Sequence, residues 1–122
     1  MSWRYEQSSG RMLDAAGALL AVGYTGHGQG VDDPALQSEP DVGPIPQGRY
    51  STGPAQTHPH LGPLAMALTP ASGTDTFGRS GFFIHGDNAA LDHSASHGCI
   101  VLARPAREAI AASADRALEV VA

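Results

Sequence analysis

"FFIHGDNAALDHSASHGCIVL", residues 82–102, decides how this chain is read, because it holds three of the six histidines and the single cysteine between two short apolar runs. "FFIHG" at 82–86 reads as a short strand ending on His and Gly, and "CIVLA" at 99–103 reads as another after the polar connection "DNAALDHSASHG". Two paired neighbours joined in hairpin-like fashion would set the His85 imidazole against the Cys99 sulfur. The next stretch, "RPAREAIAASAD", is the one convincing helix of the chain. Pro105 suits its first turn, Glu108 sits near its positive end, and Ala106, Ala109, Ile110 and Ser113 make a small inward stripe. "ALEVVA" at 117–122 then closes the chain as a strand.

Upstream, "WRYEQS" at 3–8 alternates large and polar residues, and "RML", the turn-like "DAAG" and "ALLAVGYTG" follow as short strand, turn and strand. Residues 26–46, "GHGQGVDDPALQSEPDVGPIP", have no periodicity and predict a long surface connection, of a length usually functional or mobile. "GRYSTG" at 48–53 and "LAMALTP" at 64–70 predict strands, with "PAQTHPHLGP" and "ASGTDTFGRSG" as loops around them. Fifteen Gly and nine Pro in 122 residues imply many turns and little long helix, hence a mainly β, small α+β domain: a sandwich or open barrel of short strands with one helix. One core, and so one domain over 1–122, is what this length supports.

Composition removes several function classes. The net charge is −5 and all seven basic residues are scattered arginines, which argues against a nucleic-acid-binding face. The longest apolar run, "ALLAV", is far short of a membrane span, and "MSWRYEQSSGRML" has no basic region followed by an apolar one, so no Sec signal is expected. A single Cys excludes an internal disulfide and multi-cysteine metal sites.

A cysteine nucleophile needs a base for its proton, a group that holds the base in one tautomer, and amide donors for the oxyanion. Cys99 and His85 supply thiol and base; Gly98 leaves room beside the thiol, and Ser96 and His97 could line the same pocket. Plainer readings stand beside this one. Cys99 would serve as a small buried hydrophobe, His85 as a hydrogen-bonded core residue, His93 and His97 as solvated loop groups, and His27, His58 and His60 as surface groups. A zinc site of His85, His93, His97 and Cys99 has enough ligands, but its spacings match no closed structural pattern.

The combination of "IHGD" with "SASHGCIVL" resembles the active-site signature of the YkuD-type L,D-transpeptidases, and it implies their fold. Carried over, the resemblance makes Cys99 the nucleophile, His85 its base and the Gly86 carbonyl the group that orients the imidazole. Ser96, His97 and Gly98 then shape the pocket and the oxyanion site, and neither a metal nor an organic cofactor is needed. Two departures are visible: the connection between base and core is short, and Val101 stands where the family commonly has Arg or Asn. Arg79 or Arg104 could make the carboxylate contact instead.

"WRYEQSSGRML", "GYTGHGQG", "VGPIPQGRY" and "FGRSGFFIHGD" extend the likeness to the small type VI secretion L,D-transpeptidase effectors, the Tlde family. That resemblance implies a peptidoglycan tetrapeptide stem as substrate and a thioester on the enzyme, resolved by water, a D-amino acid or a second stem. It further implies synthesis in the cytoplasm, action in the periplasm of a target bacterium, and a cognate immunity protein and secretion machinery as partners. A metal-dependent peptidoglycan hydrolase and a non-catalytic wall-binding module are the alternatives. With Cys99 paired to a His base, the thiol is expected to react at neutral pH faster than an unperturbed cysteine.

Overall fold

The computed structural model describes residues 2–87, 96 and 98–122. These form β1 (Trp3–Glu6), β2 (Arg11–Leu13), β3 (Leu19–Val22), β4 (Tyr24–Thr25), β5 (Gly48–Thr52), β6 (Gln56–His58), β7 (Gly62–Pro70), β8 (Phe83–His85), β9 (Ile100–Val101), α1 (Arg104–Ala112) and β10 (Ala117–Val121). The mainly β reading with one helix is what the described residues show. Their sheet runs β3-β2-β1-β10-β5-β7-β8-β9-β4, with β6 paired to β7 beside that path.

Alternation explains the centre of the sheet. β1 and β10 run parallel with Trp3 opposite Leu118 and Tyr5 opposite Val120, all four buried, while Arg4 lies opposite Glu119 on the other face. The outward pair makes an ion pair at 3.5 Å, whereas the inward residues join Met12, Ile45, Met66, Ile84, Ile100 and Ile110 in one core. A one-residue slip would bury Arg4 and Glu119, so the hydrophobic pattern fixes the register.

The sheet is open, yet its two edge strands are consecutive in the chain: β3 ends at Val22 and β4 begins at Tyr24. The sheet must therefore curl until its edges nearly meet at Gly23, which donates its N–H to the Gly10 carbonyl at 2.7 Å. A Cβ on Gly23 would lie 1.9 Å from the Val101 oxygen, so only glycine passes this seam. For this reason the strand expected over "ALLAVGYTG" is two, β3 on β2 and β4 on β9.

Three other expectations change. Part of the loop "PAQTHPHLGP" is β6, which forms an antiparallel pair with β7. β8 and β9 are parallel, not hairpin-like, with Ile84 opposite Ile100 and His85 opposite Val101. In α1 the buried residues are Ala106, Arg107 and Ile110, whereas Ala109 is exposed and Ser113 is only half-buried. An arginine takes the inward place because backbone carbonyls of neighbouring elements converge there.

The 26–46 connection is pinned rather than loose. Its His27 N–H donates to the Val42 carbonyl at 2.8 Å, its Ile45 N–H to Thr25 Oγ1 at 2.9 Å, and the buried Gln7 amide reaches the Ile45 carbonyl at 2.8 Å.

Candidate functional site

β8 and β9 position the chemistry. Because Ile84 and Ile100 face the core together, His85 and Val101 project to the opposite face, as do Phe83 and the residue just before β9, Cys99. By this alternation His85 and Cys99 fall on one face of the parallel pair. The Cys99 sulfur has the Phe83 backbone N–H beside it and lies 3.6 Å from the Gly81 carbonyl, to which the thiol donates.

His85 is buried, and its Nδ1 lies 2.7 Å from the Gly86 carbonyl. A carbonyl can only accept, so Nδ1 carries the proton and Nε2 is left as the basic nitrogen of the neutral ring. Burial pushes the imidazole below its ordinary pKa; the Gly86 contact opposes this, the Arg107 cation adds to it, Asp87 opposes it and His58 adds slightly. Burial also pushes the Cys99 thiol up, against the Phe83 N–H and the Arg79 cation, which both lower it.

Both shifts favour the neutral pair over thiolate and imidazolium, so the expected fast-reacting resting thiol is not what this environment supplies. Iodoacetamide should alkylate Cys99 at pH 7 more slowly than a cysteine in an unstructured peptide. The rate should climb about tenfold per pH unit into the alkaline range as the thiolate forms. A rate already level below pH 7 would reveal a resting thiolate and overturn this.

The backbone just before Cys99 is held by Ser96. Its fully buried hydroxyl donates to the Cys99 carbonyl at 2.6 Å and accepts from the Gly26 N–H at 3.0 Å and the Gly98 N–H at 3.1 Å. Ser96 therefore ties the turn to the start of the 26–46 connection instead of facing the cleft, and the Gly98 amide points inward to it rather than toward an oxyanion.

Gly98 has φ 127, and a Cβ there would lie 2.3 Å from Arg79 Nη2. The space beside the thiol is thus taken by a guanidinium. Arg79 is buried and donates to the carbonyls of Gln37, Pro44 (2.8 Å) and Gly43 (2.9 Å), with its Cζ 5.7 Å from the Phe82 ring centroid. It clamps the long connection against the site. A cleft of about 330 Å³ opens at this place, with Asp41, Arg79, Phe82, Gly98 and Cys99 among its walls.

The other residues named from sequence fall elsewhere. Arg104 is exposed, 3.8 Å from Glu108, and lines a separate groove with Tyr24, Asp87 and Arg107. His93 and His97 lie outside the described residues, so two of the four zinc ligands considered cannot be placed. Among the described residues no three His, Cys, Asp or Glu gather closely enough to hold a metal ion, and no helix is long and apolar enough to cross a membrane. His60 is exposed and His27 half-buried.

His58, read as a surface group, instead flanks the site. It packs edge-on against Phe83 with ring centroids 5.1 Å apart, and its Nδ1 accepts from the His60 and Leu61 N–H groups at 3.0 and 3.2 Å. Arg107 was also absent from the sequence reading. Nothing local marks either residue, since a hairpin pairing brings in the first and helix packing the second.

No curated protein matches the chain. The family model described as "Tlde1 domain" matches residues 20–121, a span that contains β8, the Ser96–Cys99 turn, β9 and α1. With that match over most of its length, the chain belongs to the Tlde1 domain family, the L,D-transpeptidase-like enzymes among type VI secretion effectors.

Proposed function

We propose that the protein is a cysteine-dependent L,D-transpeptidase and L,D-carboxypeptidase of peptidoglycan tetrapeptide stems, delivered to the periplasm of a target bacterium. The observation that carries this reading is the His85 imidazole, proton fixed on Nδ1 by Gly86, on the same face as Cys99 across the β8–β9 register. Because the resting pair is neutral, His85 Nε2 takes the thiol proton as the sulfur attacks the carbonyl at the L-centre of diaminopimelate. The C–S bond forms and the tetrahedral intermediate collapses. The C–N bond to the terminal D-Ala breaks, its amine leaving with the proton held by His85.

The thioester is then resolved by a nucleophile whose proton passes to His85 and on to the departing thiolate. Water gives carboxypeptidase cleavage, a D-amino acid gives exchange, and a second stem gives a 3→3 cross-link. With the Gly98 amide committed to Ser96, the Cys99 amide is the donor assigned to the oxyanion, while the rim around Arg79 completes the pocket. No cofactor enters this scheme. An immunity protein in the producer and a secretion machine are the partners such an enzyme requires.

A carbapenem acylates an active-site thiol of this kind without needing an acceptor. Intact mass spectrometry should show a shift of one adduct on Cys99 and none when His85 is replaced by Ala. An unmodified native protein after prolonged incubation would sink the proposal, since an inert structural thiol gives that result.

A further inference from the structure

Arg107 stands out as a buried cation that the mechanism above does not use. It is 8 % exposed, on the inward face of α1, makes no ion pair among the described residues, and donates to carbonyls. Its Nε reaches the Leu102 carbonyl at 3.0 Å, and its Nη1 reaches the carbonyls of Pro63 at 2.8 Å and Leu64 at 3.3 Å. Those acceptors belong to the end of β9 and the start of β7, the two strands that flank β8. Nη2 is directed at Gly86: a methyl group there would lie 2.7 Å from it and 3.0 Å from the guanidinium carbon. The guanidinium thus occupies the space that a side chain at Gly86 would need, behind the peptide whose oxygen receives the His85 proton.

We propose that Arg107 is a positioning residue of this site: its planar fork ties β7, β9 and α1 together and braces the Gly86 peptide, fixing which imidazole nitrogen of His85 is left as base. The same strand end is held from the other side, where the Leu102 N–H donates to the His85 carbonyl at 3.0 Å and its carbonyl accepts from Arg107. His85 and Gly86 are therefore fixed through one residue, Leu102, that Arg107 also holds. A lysine has the charge but not the fork, so it cannot serve these carbonyls together.

Charge gives a second consequence. The charged and titratable groups that act on His85 are Arg107 from α1, Asp87 beyond β8 and His58 from β6, and Arg107 is the permanent cation among them. It favours the neutral imidazole after burial has already done so, and its removal should move the His85 titration upward.

This inference deepens the proposed function and rests on it for the kinetic effect alone, because the histidine can be read by NMR whether or not the protein turns over substrate. The native protein, Arg107→Met, Arg107→Lys and Gly86→Ala would be compared by long-range ¹H–¹⁵N spectra of the histidine rings across pH, together with kcat and KM on a tetrapeptide stem. Native His85 should show one neutral tautomer with the proton on Nδ1. Arg107→Met should mix the tautomers and titrate higher, and its kcat should fall by about 10- to 100-fold with KM little changed, since Arg107 touches no substrate.

Arg107→Lys should retain the low titration yet lose much of kcat. Gly86→Ala pushes on the guanidinium from the opposite side, and should mix the tautomers with Arg107 still present, which covers the case in which Arg107→Met fails to fold. A single Nδ1–H tautomer preserved in Gly86→Ala, and in Arg107→Met where it folds, would overturn the inference and leave Arg107 as a helix tether. Mixed tautomers in variants of a protein whose native form neither acylates nor turns over would uphold the positioning role while the functional reading failed.

Discussion

Purified Cys99→Ala protein is expected to form no acyl adduct and to turn over tetrapeptide stems at least roughly 10⁴-fold more slowly than the native chain, because the proposed thioester cannot form without the thiol. The fold should be almost indifferent to the change. Cys99 is half-buried and makes only weak sulfur hydrogen bonds, from the Phe83 N–H and to the Gly81 carbonyl at 3.6 Å, so the loss of stability should stay at about 1 kcal/mol. The pair of measurements separates chemistry from structure: a melting curve that overlays the native one, beside a lost stem-cleavage signal by mass spectrometry. Residual turnover within tenfold of native would dismiss the thiol as nucleophile.

Replacing Arg79 by Met should produce the largest loss of stability outside the hydrophobic core. The substitution leaves the carbonyls of Gln37, Gly43 and Pro44 without their donor, next to the space that Gly98 keeps open for the guanidinium. Each orphaned carbonyl costs on the order of 1–3 kcal/mol if it stays dry, and some will find water at the cleft, so about 3 kcal/mol is expected in all. In a chain of this length that lowers the melting midpoint by roughly 10 °C. The damage should begin locally, with early proteolytic cleavage within residues 26–46, and acylation of Cys99 should slow because the cleft wall moves. A midpoint within about 2 °C of native and unchanged proteolysis would show that the connection holds itself.

Arg79 also illustrates what a sequence can and cannot say about an arginine near a nucleophile. Its position just before "FFIHG" suggested a substrate anchor, and the cleft does include it. Its guanidinium, however, is engaged with three backbone carbonyls from a segment about 40 residues earlier, a relation invisible to local pattern. Ser96 follows the same logic. The run "SASHGC" marks a turn before a thiol, but the Ser96 hydroxyl also accepts from the N–H of Gly26, far earlier in the chain.

The sequence by itself determined the strands with clear alternation and the helix at "RPAREAIAA", and it singled out His85 and Cys99 as the candidate pair. Period-2 burial, a proline in the first helical turn and a rare residue combination are local facts that survive without coordinates. Only the tertiary structure decided that β8 and β9 are parallel, that one apparent strand splits at Gly23 as the sheet edges approach, and that His58 and Arg107 lie near His85. These depend on contacts between residues far apart in the chain, where the burial of a guanidinium or the closeness of two backbones is settled by packing and by the need to satisfy every buried carbonyl.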